Sequence, residues 1–358
     1  MKTKAEKPAG SGKRALWSLL FLVLAALSVW TVTSQAKGFS PRHFLEYLNR
    51  NNPWWLAAAV LAMLSYIGFD ALMVGCLLKD FGYPRSFPKC ISYAAADLYF
   101  SAITPSATGG QPASAYFMVR DGVPAGAATV TLLVNLILYT LSLIILGLGS
   151  VIFFPGLFLG LRTLSKVLIA VGFAIQVGLI VLFFVLLGKA PTVFGLLRRF
   201  VRFLHRKKLI RRLNHRMKKL DAAQTEYETC ARIMKGKTAV FLKALGWNLL
   251  QRALQLAVPM CIYLALGGEL RHAGLLFASQ CLVVLGYAPV PIPGAMGVAD
   301  YLMVDAFSCL SFIAVEDAFA LDMLSRGLSF YLCVAASGIV TLLGYALTHK
   351  KEKGKMKT

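Results

Sequence analysis

The feature that most constrains this chain is a series of apolar stretches long enough to cross a bilayer, beside two apolar stretches that proline and glycine interrupt. A hydrocarbon core about 30 Å thick takes about 20 apolar residues in a helix. Only 15% of the 358 residues are charged, less than in a soluble protein of this size. The pattern predicts an all-α polytopic membrane protein. The stretches expected to be full spans are 15–33, 53–78, 125–153, 165–188, 239–266 and 319–347.

The distribution of lysine and arginine predicts how these spans are oriented. The N-terminus, residues 198–219 and the C-terminal tail are the most basic segments, and the positive-inside rule places all three in the cytoplasm. We expect a multi-pass protein of a bacterial inner or plasma membrane. The crossings alternate only if 90–119 begins and ends inside and 273–313 begins and ends outside. This predicts an inverted-topology repeat with two re-entrant or broken helical hairpins; pairs of short spans or single kinked spans are the alternatives.

Five segments follow from this topology. The first apolar run is longer than a usual signal-peptide core, so an uncleaved signal anchor is favoured over a cleaved leader. The segments are a basic cytoplasmic N-terminus at 1–14, an N-terminal membrane half at 15–188, a basic amphipathic cytoplasmic segment at 189–238, a C-terminal membrane half at 239–347 and a basic cytoplasmic tail at 348–358.

The first break combines residues that end helices with residues that bind polar groups. Pro105 and Pro112 each remove a backbone donor, and a helix starting near Pro112 would direct its N–H groups and positive dipole end at an anion. The alternative is a tight turn that only packs helices together. The residues expected to contact a lipid headgroup in this break are Thr104, Ser106, Thr108, Gly109, Gly110 and Gln111.

The second break contains three alternating prolines, which cannot continue a helix. Gly294 and Gly297 bracket a turn into a new helix. Asp300 lies one turn inside that helix, where a carboxylate favours the positive helix end. Asp300 is therefore either a helix-start residue or part of a site. Together with Pro293, these residues form the second part of the predicted headgroup site.

Ionisable residues inside membrane spans are costly and are candidates for function by default. Arg326 follows Asp322 by four residues, so the two either pair along one helix face or leave the guanidinium to bind a lipid phosphate bidentately. Arg252 lies in a polar stripe with Asn248, Gln251 and Gln255, which lines either a bundle contact or a groove. The complete set of candidates is Asp70, Asp97, Arg252, Asp300, Asp305, Asp322 and Arg326.

A strongly basic segment lies between the two membrane halves. Its apolar residues Phe203, Ile210, Leu213, Met217 and Leu220 recur at a spacing close to 3.5, with basic residues on the other faces. This predicts an amphipathic helix on an anionic leaflet; a solvated linker or a protein-docking element is the alternative. The residues expected at the membrane surface are Arg198, Arg199, Arg202, Arg206, Lys207, Lys208, Arg211 and Arg212.

Catalytic and metal-binding motifs are absent from the sequence. It contains no P-loop, Ser-His-Asp set or dinucleotide fingerprint, and its seven cysteines and five histidines lack metal-ligand spacing. We expect no catalytic residue, no cofactor and no metal. The 38 lysines and arginines exceed the 16 acidic residues and cluster beside the spans, which indicates anionic phospholipids rather than nucleic acid.

The two breaks and their flanks resemble the membrane domain of the lysylphosphatidylglycerol synthase/flippase family. The resemblance covers most of the chain, and its matching stretches are 105–112, 120–122, 291–300 and 325–331. The family often has glutamate where this chain has Gln111 and Asp300, and arginine near the position of Asn135, which implies an altered lipid site. Full-length relatives carry a soluble aminoacyltransferase domain, and we expect no counterpart of it in this chain.

The resemblance implies a flippase-like protein that moves an anionic or aminoacylated phospholipid, or a polyprenyl phosphate, between leaflets. Its partners would be anionic phospholipids and either a second copy of the chain or a separate aminoacyltransferase. Two alternatives are the membrane subunit of a phosphatidylglycerol lysyltransferase-type system and a small-solute transporter that couples ions through Asp97 or Asp300. On the sequence alone, Arg326→Ala and Gly110→Leu are expected to abolish headgroup translocation while leaving folding intact.

Overall fold

The computed structural model describes residues 52–104, 109–207, 213–236, 238–295, 297–313 and 315–355, and within these ranges the chain is helical without strands. The predicted N-terminal segment and first span lie outside them. In chain order the helices are α1 (Pro53–Asp80), α2 (Phe87–Ile103), α3 (Gly110–Arg120), α4 (Ala125–Phe153), α5 (Pro155–Gly160), α6 (Thr163–Gly188), α7 (Ala190–Arg206), α8 (Leu213–Gly236), α9 (Thr238–Leu256), α10 (Val258–Ala265), α11 (Ala273–Tyr287), α12 (Val298–Ser308), α13 (Val315–Arg326) and α14 (Cys333–Lys355).

Five stretches of helix in the described residues are long and apolar enough to cross a membrane. They are Pro53–Asp80, Ala125–Phe153, Thr163–Gly188, Leu270–Tyr287 and Ala320–Tyr345. The prediction of an all-α polytopic membrane protein is confirmed. The fourth and fifth stretches extend beyond single regular helices, because the 3₁₀ turn Leu270–His272 precedes α11 and a π-helical turn at Gly327–Leu332 joins α13 to α14. A second 3₁₀ turn occupies Pro293–Ala295.

One predicted span differs from the structure. The stretch 239–266 is divided into α9 and α10, which meet at Ala257. Pro259 lies in the first turn of α10, where its missing N–H removes a hydrogen bond that a continuous helix would need. The apolar stretch 273–313, expected to lack a full span, instead contains most of the candidate Leu270–Tyr287.

One end of the bundle carries Lys79, Arg85, Lys89 and Arg120, and we call it the basic end. It brings together the end of α1, the start of α2, the end of α3 and helix α8. The Tyr93 hydroxyl of α2 donates to Asp121, just after α3, at 2.6 Å. The Tyr83 hydroxyl, between α1 and α2, donates to Glu226 of α8 at 2.7 Å. Helices α2 and α3 therefore form the first hairpin (87–120), with both of its ends at the basic end.

The opposite end of the bundle holds the ends of a second hairpin. Helix α4 starts beside α3 and, with 29 residues, is long enough to span the bundle, so α6 begins at the far side. Arg162, just before α6, lies 3.3 Å from Asp305 of α12. His272, just before α11, stacks on Phe312, beyond α12, with 3.9 Å between ring centroids. Helices α11 and α12 thus form the second hairpin (273–308), open at this end.

The turn of the second hairpin contacts the first hairpin. The 3₁₀ turn Pro293–Ala295 of the second hairpin packs against α2 of the first. Helix α14 also packs along α2, where Gly338 approaches the ring of Tyr99. The turn of the second hairpin is therefore packed against the first hairpin, while Pro291 and Ile292 beside it are exposed.

Candidate functional site

Arg252 of α9 is buried among aromatic rings in the interior. Its Nη1 donates to the Tyr66 hydroxyl at 2.6 Å and to Gln255 Oε1 at 2.8 Å. Its guanidinium carbon lies 4.2 Å from the centroid of the Tyr139 ring and 4.9 Å from that of Tyr66. Nε is buried and has no hydrogen-bond partner among the described residues. Cation–π contacts and hydrogen bonds stabilise a charge that would otherwise be costly at this depth.

Asp70 of α1 is a buried acidic neighbour of Arg252, with Gln251 of α9 and Asn135 of α4 beside its carboxyl group. Within the described part of the chain, Gln251 Nε2 and Asn248 Oδ1 are buried without hydrogen-bond partners. Helices α1, α4 and α9 thus bring a cation, an acid and unsatisfied amides together. We call this group the Arg252 cluster, which comprises Tyr66, Asp70, Asn135, Tyr139, Asn248, Gln251, Arg252 and Gln255.

The first hairpin is closed by Asp97 of α2. This aspartate accepts hydrogen bonds from Ser101 Oγ at 3.2 Å and from Gln111 Nε2 at 3.0 Å. Gly110 packs so closely on Asp97 that a Cβ would overlap both its carboxylate and its backbone carbonyl. The expectation that Gly110→Leu leaves folding intact is therefore wrong, because the larger side chain has no space without moving α2 from α3.

Thr104 and Gly109 lie on either side of the first break. Thr104 Oγ1 donates to the Phe100 carbonyl at 2.6 Å and accepts from the Gly109 N–H at 2.8 Å. The Thr104 hydroxyl therefore serves the local turn in this structure. Ser106 and Thr108, also predicted to contact a headgroup, lie outside the described residues.

Arg326 of α13 contacts two residues of the second break. Its Nε lies 2.8 Å from Asp300 Oδ1, and its Nη2 donates to the Gly294 carbonyl at 2.9 Å. Asp300 also accepts from the Gly297 N–H at 2.7 Å, so it is both a helix-start residue and an ion-pair partner. Gly294 and Gly297 have φ values of 63° and 78°, which glycine adopts without strain. Pro293 begins the 3₁₀ turn between the hairpin's two helices.

Asp322, the alternative partner of Arg326 along α13, makes no ion pair within 4 Å in the described residues. Its Oδ1 and the Ser325 Oγ are both buried without a hydrogen-bond partner in that part of the chain. Packing of α12 against α13 brings Asp300 to the guanidinium instead. We call this group the Arg326 cluster, which comprises Gly294, Asp300, Asp322, Ser325 and Arg326.

Tyrosines connect the two clusters. Tyr287 of α11 is an electrostatic neighbour of Arg326, Arg252 and Tyr139. Tyr287 therefore lies within electrostatic reach of both clusters, and we call the two clusters together the polar interior. Sequence reasoning did not select Tyr66, Tyr139 or Tyr287, because an aromatic residue in an apolar span is usually lipid-facing or core. Only their hydroxyl groups, which need partners when buried, signal such a role.

Helix α7 of the basic segment ends at Arg206 and is followed by the non-helical Lys207. The predicted apolar repeat from Phe203 to Leu220 therefore does not lie on one continuous helix. Arg198 is partly exposed and pairs with Asp221 of α8 at 2.7 Å. The predicted surface residues Lys208, Arg211 and Arg212 lie outside the described residues.

Helix α7 presents an exposed apolar stripe and an exposed basic stripe side by side. Leu196, Phe200 and Phe203 recur at helical spacing on the apolar stripe. The exposed basic residues are Arg199, Arg202, Arg206 and Lys207.

The described spans and the buried polar interior define a multi-pass helical membrane protein. The sequence profile of the family described as lysylphosphatidylglycerol synthase TM region matches residues 16–337. The chain belongs to this family, and it is therefore a lipid-related membrane protein. Searches of curated proteins and of solved structures gave no match.

Proposed function

We propose that this protein moves a phosphate-bearing lipid headgroup between the two leaflets of a bacterial plasma membrane. The observation that supports this is the pair of arginines, Arg252 and Arg326, in one polar interior where two hairpins meet. A guanidinium is the side chain best suited to bind a phosphate in such a setting, because it is always charged and donates bidentately. The acyl chains would remain in the surrounding lipid while the headgroup passes through this interior.

The acidic residues in the interior favour a headgroup that also carries an amino group. Four aspartates (Asp70, Asp97, Asp300 and Asp322) accompany the two arginines. Among the candidate lipids, an aminoacylated phospholipid supplies both a phosphate for the guanidinium groups and an ammonium group for the carboxylates. A polyprenyl phosphate or an unmodified anionic phospholipid would satisfy only the arginines.

The opposed openings of the two hairpins fit re-entrant elements that enter the membrane from different sides. In this arrangement the basic end is cytoplasmic, in agreement with the excess of lysine and arginine there. Transporters with inverted repeats bind substrate near the bilayer midplane at broken helices. Helix α7 would lie on the anionic cytoplasmic leaflet, with its apolar stripe in the lipid and its arginines at the phosphates.

Reconstitution into proteoliposomes tests this function. Translocation of fluorescent phospholipids, with and without an aminoacyl group, is compared for the wild-type protein, Arg252→Gln and Arg326→Gln. A charged hydrogen bond contributes about 1.5–3 kcal/mol, so each variant should slow translocation by about tenfold or more. Arg232→Gln, on the exposed surface of α8, is the matched control and should keep the wild-type rate. Wild-type rates in both interior variants would contradict the proposal.

The family description includes the word synthase, which favours one second candidate. The chain would then be the membrane subunit of a lipid-modifying system whose aminoacyltransferase is a separate protein. Transferase activity that appears only after a partner co-purifies would support this candidate. Mass spectrometry of lipids retained by the purified protein distinguishes the flippase and the transferase subunit from a small-solute transporter. For such a transporter, no lipid should remain bound in the interior.

A further inference from the structure

Asp322 is buried in the Arg326 cluster, in an environment that disfavours an ionised carboxylate. It is 2% exposed, and its Oδ1 has no hydrogen-bond partner among the described residues. Ser325, three residues later on the same helix face, has an equally unpartnered Oγ. A buried carboxylate without a partner loses its hydration and gains nothing in return. The arrangement is therefore that of a neutral, protonated acid.

The charged groups around Asp322 come from its own helix and from α12. Arg326 and Asp300 are its charged neighbours, and Tyr331 of the π-helical turn faces the same groups. Helix α10, which also packs on α13, has no charged residue; its Cys261 and Tyr263 are not among the electrostatic neighbours of Asp322. Two carboxyl groups thus compete for the guanidinium of Arg326, and in this structure Asp300 forms the ion pair with it.

We propose that Asp322 is a proton-binding site, and that loss of its proton transfers Arg326 from Asp300 and Gly294 to Asp322. Arg326 follows Asp322 by four residues in α13, the spacing and order that favour an ion pair within a helix. Since Arg326 holds the Gly294 carbonyl, this exchange releases the second break. If the proposed function is correct, the proton is then the ion that couples headgroup movement to a pH gradient.

A proton fits this site better than a sodium ion does. At broken helices, sodium is coordinated by free backbone carbonyls and helix ends. The Gly294 carbonyl, beside the cluster, already accepts a hydrogen bond from Arg326. A proton requires only the single unpartnered Oδ1 of Asp322.

Hydrogen exchange of the segment 288–295, measured in nanodiscs without added substrate, tests the proton site. After correction for the intrinsic effect of pH, exchange in the wild-type protein should rise by about tenfold as the pH increases, a typical size for a coupled equilibrium. Asp322→Asn should keep the segment protected at every pH. Asp300→Asn should make it exchange rapidly even at low pH, because Arg326 has lost its present partner. Asp221→Asn, on exposed α8, is the control and should follow the wild type.

Several outcomes would overturn the proton site. The first is hydrogen exchange of the segment that does not change with pH in the wild type. The second is pH-dependent exchange that persists in Asp322→Asn, and the third is exchange that changes with sodium concentration at fixed pH. Infrared spectroscopy gives a second readout, since the protonated-carboxyl band lost on raising the pH should be absent in Asp322→Asn. If that variant does not fold, Asp322→Glu retains the acid and must retain the pH dependence; its loss would contradict the proposal.

Proteoliposomes with a pH gradient separate this inference from the proposed function. A gradient should accelerate translocation by the wild-type protein and not by Asp322→Asn. Translocation that is absent while pH-dependent exchange persists would reject the proposed function and leave the proton site standing. Translocation that occurs at the same rate with and without the gradient would reject the coupling.

Discussion

The two hairpins are held in different ways. The first is closed by its own residues: Asp97 accepts from Gln111 across the break, and Lys89 lies 3.1 Å from Asp121 at its base. The break of the second is held by Arg326, which belongs to neighbouring α13. A hairpin closed from within keeps its shape when its neighbours move, whereas one held from outside follows the helix that holds it. We infer that the first hairpin is the static element and the second the mobile one.

The largest effect that distinguishes the two regions is expected from Arg252→Ala. Arg252 is an electrostatic neighbour of both Asp70 and Asp97, so its loss leaves two buried acids beside the first hairpin without a cation. Arg252 also packs on the rings of Tyr66 and Tyr139, and truncating a large buried side chain to alanine typically costs about 2–5 kcal/mol. The free energy of unfolding in nanodiscs should fall by that amount, and by less in Arg326→Ala, whose ion-pair partner Asp300 is partly exposed. An equal or greater loss in Arg326→Ala would reverse the assignment of static and mobile regions.

A smaller effect is expected from alanine at the glycines of the two breaks. Gly110→Ala would overlap Asp97 and should cost about 1–3 kcal/mol through overpacking. Gly297→Ala has open space but a φ of 78°, so its cost of about 1–2 kcal/mol comes from backbone strain alone. Gly149→Ala, in α4 with no atom within 4 Å, is the control and should not destabilise the protein. Thermal unfolding measures all three, and a neutral Gly110→Ala would show that the first hairpin is not tightly closed.

The smallest effect concerns the attachment of α8 to the basic end. The hydrogen bond to Glu226, with burial, raises the pKa of Tyr83 from 10.0 to about 12. The neutral phenol is thus favoured in the folded state, so its contribution is complete below about pH 10 and is lost as the pH rises through 12. Tyr83→Phe should cost about 1 kcal/mol at neutral pH. The difference in melting temperature between the two proteins should vanish at alkaline pH; a constant difference would mean that the hydroxyl contributes nothing through this bond.

Much of the helical framework could be predicted, because it depends on properties local to the chain. Apolar length predicted the spans at 53–78, 125–153 and 165–188 to within a few residues of α1, α4 and α6. Proline and glycine predicted where the two hairpins turn. The division of 239–266 was missed although Pro259 signals it, because a single proline in an otherwise apolar run also occurs in continuous spans. The internal symmetry of the two halves stays a prediction.

The sequence by itself determined that this is a helical membrane protein with two interrupted apolar stretches, because chain length, hydrophobicity and proline act on each segment separately. It also identified Arg252 and Arg326 as exceptional, since a charge at membrane depth requires partners. Only the tertiary structure decided which residues are those partners. Asp322 is nearer to Arg326 in sequence, yet Asp300 pairs with it because packing of α12 on α13 places that carboxylate 2.8 Å from the guanidinium. Contacts between helices depend on their packing, which no local pattern specifies.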